Sequence, residues 1–225
     1  MSDSYWLLIA MAFLLGIRHG FDLDHLATID SMTRSFSGNK YLSRMTGFLF
    51  SLGHGLVVIL ISLVIGSGFR PSHVPEWLDG VGEVISILFL FLFGLLNLWS
   101  VMQPTSKSFF PRGFKSYLFR KLTVKQYNPF FIMLVGVLFA LSFDTVSQVV
   151  LFSLSASALA GLVFTGLMGV FFMLGMMTSD GLNGMLVSLL IQRADGFSAY
   201  FSRLIGFFVA LFSLIIGLMK CFSLT

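Results

Sequence analysis

An all-α bundle of transmembrane helices is the fold class that this sequence predicts, and three observations predict it. Hydrophobic residues fill 56% of the 225 positions and charged residues only 11%, against about 25% charged in soluble chains. The polar residues are segregated, leaving apolar runs that can each cross a hydrocarbon layer of about 30 Å with roughly 20 residues. Lys and Arg are shared unevenly among the loops between those runs, the asymmetry that sets orientation in a bilayer.

Six spans are expected, at about 5–31, 46–66, 82–103, 130–153, 161–191 and 203–222, in one transmembrane domain over residues 1–225. No Lys or Arg precedes the first apolar run and Asp3 does, so the start reads as a span rather than a secretory leader. The second span carries Gly53 and Gly55, which let a neighbouring helix approach closely. The fifth is too long for one perpendicular helix and is expected to tilt, or to break near Asp180-Gly181-Leu182-Asn183-Gly184. No soluble domain is left over.

The loops give a topology. Arg34, Lys40 and Arg44 lie between spans one and two, and Lys107, Arg112, Lys115, Arg120, Lys121 and Lys125 between three and four. Between two and three there is only Arg70, beside Glu76 and Asp79. The first and third loops are therefore expected in the cytoplasm, with both termini outward. The third loop interleaves its cations with Phe109, Phe110, Phe114, Tyr117, Phe119 and Tyr127, a mixture suited to an anionic membrane face. The net charge of +4 follows this topology and does not call for nucleic acid. One cysteine, Cys221, rules out an internal disulfide and a cysteine-built metal site.

Shifting the sequence by 122 residues lays spans one to three on spans four to six. Phe21-Asp22 then falls on Phe143-Asp144, and Gly47, Phe50, Leu52 and Gly53 fall on Gly169, Phe172, Leu174 and Gly175. Two half-repeats, 1–103 and 127–225, are expected from this. With three spans each they would have opposite orientations, the inverted three-plus-three repeat of secondary transporters.

The ionisable residues within the spans suggest a function. Arg18-His19-Gly20-Phe21-Asp22-Leu23-Asp24-His25 continues to Asp30 on the first span. A charge near the bilayer centre costs roughly 3 kcal/mol or more, so such a cluster points to function by default. Imidazole and carboxylate together suit divalent first-row metals. On a regular helix His19, Asp22 and His25 share a face through two i,i+3 steps. Asp24 points away, unless the helix is distorted near Gly20, and Arg18 or Arg34 can neutralise one of the acids. The alternative is a buried ion-pair network that only locks helices together.

Folding spans one and two as a hairpin brings His54 to the depth of His25, as a ligand or gate. Asp144 in span four and Asp180 in span five are expected to be metal stepping stones, proton carriers or partners for Arg18. Met168, Met173, Met176 and Met177 are expected to pack, because their spacing is ordinary for a buried helix.

These segments resemble the nickel/cobalt transporter (NiCoT) family of bacterial permeases. Its Arg-His-Ala-x-Asp-Ala-Asp-His-Ile helix is matched by Arg18-His19-Gly20-Phe21-Asp22-Leu23-Asp24-His25-Leu26, and its Ile-Asp-Asn-x-Thr-Arg exit by Ile29-Asp30-Ser31-Met32-Thr33-Arg34. Phe50-Ser51-Leu52-Gly53-His54 matches its Phe-Ser-Leu-Gly-His helix. Ser142-Phe143-Asp144-Thr145 is similar to its Gly-Phe-Asp-Thr motif, and Gly175-Met176-Met177-Thr178-Ser179-Asp180 to its Gly-Met-x-x-x-Asp motif. The resemblance implies that His19, Asp22, Asp24, His25, His54, Asp144 and Asp180 serve uptake of Ni²⁺ or Co²⁺. Family members carry about two more helices, one of them before the hallmark helix; an outward N terminus fits the loss of that one. Gln148 stands where the family commonly has Glu, and Gly181 and Asn183 where it commonly has Thr and Asp.

The expected function is a secondary-type transporter of nickel or cobalt in the inner (cytoplasmic) membrane, working inward through an intramembrane His/Asp site. The sequence shows no P-loop, so energy is expected from the membrane potential, a proton gradient or a partner. No tightly bound cofactor is expected; Ni²⁺ or Co²⁺ is the substrate. Lipid is the expected surrounding, with a homo-oligomer or an accessory subunit as further partners. The alternatives are a nickel/cobalt efflux permease and, from another class, an intramembrane hydrolase in which the metal activates water. A membrane metal sensor or an assembly subunit completes the set.

Overall fold

The computed structural model describes residues 2–67, 128–141, 146–157, 161–192 and 196–223, with scattered positions between 84 and 102. Every element among them is helical: α1 (Ser2–Gly20), α2 (Leu23–Ser35), α3 (Lys40–Gly66), α4 (Pro129–Phe139), α5 (Val146–Ser157), α6 (Gly161–Gln192) and α7 (Gly196–Ser223). The scattered positions between 84 and 102 are helical too, with Ile87 and Leu90 buried.

Among the described residues, three helices are long and apolar enough to cross a bilayer alone: α3, α6 and the Arg203–Phe222 part of α7. α1 and α2 make a fourth crossing only as a pair, bent by 59°. The expectation of one regular helix through 5–31 therefore fails at Phe21-Asp22. Phe21 N–H donates to Arg18 O at 3.1 Å and Asp22 N–H to His19 O at 2.9 Å, the tightened i→i−3 bonds of a helix end. Asp22 is extended (φ −63°, ψ 143°) and caps α2, where Leu26 N–H donates to its carbonyl at 3.1 Å. The expected span 130–153 is also not one described helix: α4 ends at Phe139 and α5 begins at Val146. Each is shorter than the roughly 20 residues a perpendicular span requires.

α6 settles the other open point, since it runs unbroken for 32 residues, about 48 Å at 1.5 Å per residue. Its glycines are contact points, not breaks. The expected span 82–103 is described only in part. The loop over 104–129, apart from its last two residues, and Asp144 lie outside the described residues.

The local sequence accounts for two helix starts. The Asn39 side chain accepts from Leu42 N–H at 3.1 Å, capping α3. Asn128 accepts from Phe130 N–H at 2.9 Å, with Pro129 in the first turn of α4, where its missing N–H costs nothing.

Glycines then set the packing. A methyl at Gly16 of α1 would strike the carbonyl oxygen of Phe172 on α6, and one at Gly175 of α6 that of Phe13 on α1. The α3–α4 crossing is built the same way: Gly136 lies on the Phe50 carbonyl oxygen and Gly53 on that of Met133. Backbones in contact gain dispersion that larger side chains would prevent. Around these crossings sit two apolar clusters. One joins Ile29, Met32, Phe36, Leu42, Phe50, Ile132, Val135 and Phe139. The other joins Ala12, Val58, Leu151, Phe164, Met168, Phe172 and Met176, so Met168 and Met176 pack as expected. Outward-facing Leu60, Val64, Phe208, Phe212 and Met219 are exposed, as a lipid-facing surface requires.

Candidate metal centre

The 59° bend brings imidazoles together that a straight helix would hold apart. His19 lies in the last turn of α1, His25 in the first turn of α2, and His54 midway along α3. All three are 1% exposed. One ring nitrogen from each lies within 4.8 Å of the other two. His19 Nε2 and His54 Nε2 are 3.2 Å apart. Imidazole nitrogens bind an ion such as Zn²⁺ at about 2.0–2.1 Å, which puts two of them about 3.3 Å apart at a tetrahedral centre. The His19–His54 spacing matches that of two donors around one ion.

Two of the three outer nitrogens are tied to carboxylates, and His54 Nδ1 has no hydrogen-bond partner among the described residues. His19 Nδ1 is 3.0 Å from Asp22 Oδ2, and His25 Nδ1 is 3.1 Å from Asp180 Oδ2. A ring whose Nδ1–H donates to a carboxylate keeps its Nε2 lone pair free and fixed in direction. Asp180, wholly buried on α6, is itself held by Ser51 Oγ–H at 2.6 Å. Gly20 makes room for this arrangement, because a methyl there would meet Ser179 Oγ, with Asp180 Oδ1 at 2.9 Å. Phe50 stands edge-on to His25 at 5.0 Å and Phe172 lies 5.4 Å from His19, so apolar rings wall the cluster.

The other expected site residues are placed differently. Asp24 turns a carboxylate oxygen to the backbone N–H of His25 at 2.9 Å, and is half-buried at the bend. Asp22 does reach His19, but from an extended residue between helices and not along a helical face. Asp30 pairs with Arg34 through two bonds of 2.9 Å. Arg18 donates to Ser147 Oγ at 2.8 Å. Asp144 falls outside the described residues.

Two residues of the cluster were not singled out for it by sequence. Ser51 was visible as the polar residue one turn before His54. Gln148 of α5 places Nε2 2.8 Å from His54 Nε2 and 3.4 Å from His19 Nε2; its sequence reading was a lost carboxylate. Its proximity follows from the α5 packing, which no local pattern reports.

A family model described as high-affinity nickel-transport protein (NicO) matches residues 5–225. Over 207 residues the chain is 32% identical to the high-affinity nickel-transport protein NixA of Helicobacter pylori, covering 80% of this chain and 62% of that one. It is 29% identical over 203 residues to the nickel transporter NixA of Staphylococcus aureus, covering 79% and 60%. The cobalt transport protein NhlF of Rhodococcus rhodochrous is 31% identical over 175 residues, covering 67% and 49%. The chain thus spans less than two thirds of the length of these relatives. No solved structure matches it.

Proposed function

This chain belongs to the high-affinity nickel-transport family, and on that premise we propose that it carries Ni²⁺ or Co²⁺ inward across the inner membrane through the three-histidine cluster. The observation that supports this reading best is the convergence of His19, His25 and His54, buried and within 4.8 Å of one another in their ligand atoms. An ion entering a bilayer sheds water, and fixed imidazole lone pairs replace part of that hydration. Asp22 and Asp180 fix two of the rings and supply negative charge one bond away. Asp22, 29% exposed, and half-buried Asp24 lie at the bend, where they favour the arrival of a cation. Asp144 is assigned a second acidic position on the same route.

The reading includes a movement. Under the three-plus-three repeat, halves 1–103 and 127–225 rock against each other around the cluster, opening it to one side and then the other.

Metal flux into vesicles containing the purified chain tests the proposal. His19→Ala and His25→Ala are each expected to abolish ⁶³Ni²⁺ uptake while the protein remains folded in the membrane. Uptake should also fall as the solution is acidified, because ligation requires the unprotonated imidazole. Asp144→Asn is expected to stop flux without lowering protein level. Parental flux in both His variants would reduce the cluster to a structural network. Flux only out of the vesicle equivalent of the cytoplasm would identify an exporter, and no flux with metal-dependent hydrolysis would identify an enzyme.

A further inference from the structure

Gln148 carries an inference that rests on the metal-site reading above and deepens it. Its side chain is 1% exposed, and its amide nitrogen faces the inward nitrogens of two of the three histidines, at 2.8 and 3.4 Å. The carbonyl oxygen of the same amide is buried and has no hydrogen-bond partner among the described residues. A buried acceptor without a donor is an unfavourable arrangement, and it stands beside a cluster of lone pairs suited to a cation.

An amide nitrogen and oxygen exchange places by rotation about one terminal bond, with almost no change in shape. As described, Nε2–H donates to His54 Nε2 and occupies the lone pair that a metal would need. After rotation the carbonyl oxygen stands where the nitrogen stood, 2.8 Å from His54 Nε2 and 3.4 Å from His19 Nε2. Those separations bracket the spacing of two donors on one first-row ion, about 3.3 Å at a tetrahedral centre.

We propose that Gln148 is a fourth ligand to the transported ion, giving its side-chain carbonyl oxygen when metal is present and its N–H to His54 when it is not. The inner set is then three imidazoles and one amide, all neutral. The ion keeps its full charge within that shell and is balanced only from outside, by Asp22 and Asp180. Fewer charged ligands mean weaker holding and faster release. A borderline nitrogen and hard oxygen set also favours Ni²⁺ or Co²⁺ over a soft monovalent copper ion.

The test uses the full chain in lipid nanodiscs, with Ni²⁺ for affinity by equilibrium dialysis and Co²⁺ for its visible ligand-field spectrum. Gln148→Leu is expected to weaken Ni²⁺ binding by about tenfold or more and to alter the Co²⁺ bands, since one donor is lost. Gln148→Glu is expected to tighten binding by about tenfold, shift the bands and slow Ni²⁺ release in vesicles. A residue that only positioned His54 would leave the Gln148→Glu spectrum unchanged. Should Gln148→Leu fail to fold, the Glu variant decides. Unchanged affinity and spectrum in whichever variants fold would overturn the proposal, while loss of binding in His54→Ala would leave the three-histidine reading standing. Parental binding in His54→Ala would remove both.

Discussion

At the crossing of α3 and α4, Gly136 rests on the Phe50 carbonyl and lies 3.0 Å, by an added methyl, from the backbone nitrogen of His54. At the crossing of α6 and α1, Gly16 rests on the Phe172 carbonyl and lies 3.0 Å from the backbone nitrogen of Met176. Gly53 precedes His54 and Gly175 precedes Met176, and each presses on the facing helix. Two regions of the molecule thus share a backbone contact, glycine for glycine, with a phenylalanine carbonyl under the first glycine of each; under the second the carbonyl is that of Met133 in one and Phe13 in the other. They differ also in the residue after the second glycine. His54 turns a nitrogen to the histidine cluster, whereas Met176, wholly buried, packs with Phe172, Met168 and Leu151. The glycines carry the architecture of each crossing, and the residue after the second glycine sets whether an imidazole or a thioether is buried there.

The largest effect should come from destroying either contact. Gly16→Val and Gly136→Val each force a branched side chain into a facing carbonyl, a cost of about 3 kcal/mol or more. Both are expected to lose monodisperse protein by size-exclusion chromatography. A folded Gly136→Val beside an unfolded Gly16→Val would break the equivalence of the two crossings.

Next comes the pair of residues that distinguishes them. His54→Ala is expected to abolish detectable Ni²⁺ binding with a modest change in melting temperature. Met176→Ala should do the reverse, costing about 2–5 kcal/mol of stability and leaving Ni²⁺ affinity as in the parent. Calorimetry and metal titration on the two variants read both quantities, and an affinity loss in Met176→Ala would show that the apolar crossing also shapes the site.

Asp180→Asn keeps the shape next to His25 and removes the charge. Partners that orient a metal-bound histidine are worth about 10–100-fold in affinity, and a wholly buried one belongs at the upper end. Asp22→Asn should cost less, because Asp22 is 29% exposed and water screens it. Equal losses would mean that the two outer carboxylates see the same surroundings. The smallest effect is expected from Ser51→Ala, which removes one donor to Asp180. A hydrogen bond to a charged group contributes about 1.5–3 kcal/mol to stability, so the melting temperature should fall while Ni²⁺ affinity changes only a few-fold.

Much of this was legible in the sequence. The apolar runs gave α6 close to its observed limits, and α3 and α7 apart from their first six and seven residues, because a long helix in lipid has no competing way to satisfy its backbone. The three histidines were legible as residues too costly to bury without a role. Their shared depth was legible from the hairpin of spans one and two, but the bend that closes them was only one of two alternatives near Gly20. Periodicity assumes a straight helix, and the first span bends after Gly20, where the α1 end rests against Ser179 and Asp180 more than 150 positions away. That same bend leaves Asp24 at a backbone N–H and gives Asp22 its reach to His19. Gln148 read as a missing carboxylate, since only tertiary packing shows which rings an amide on another helix will face. The two short helices α4 and α5 read as one span because Phe139 to Val146 contains neither Pro nor Gly to mark a stop.

The bend has a mechanical consequence. α2 is 13 residues long, about 20 Å at 1.5 Å per residue, and its N-terminal end lies where His19 and His25 stand. A rotation of about 10° at Asp22 would sweep its far end, near Ser35, through roughly 3 Å by that length. His25, one turn from the fulcrum, would travel only a fraction of that. The histidines sit at the axle and Ser35 at the rim. In the proposed transport cycle, a site built there would keep its spacing while the far end of α2 moved.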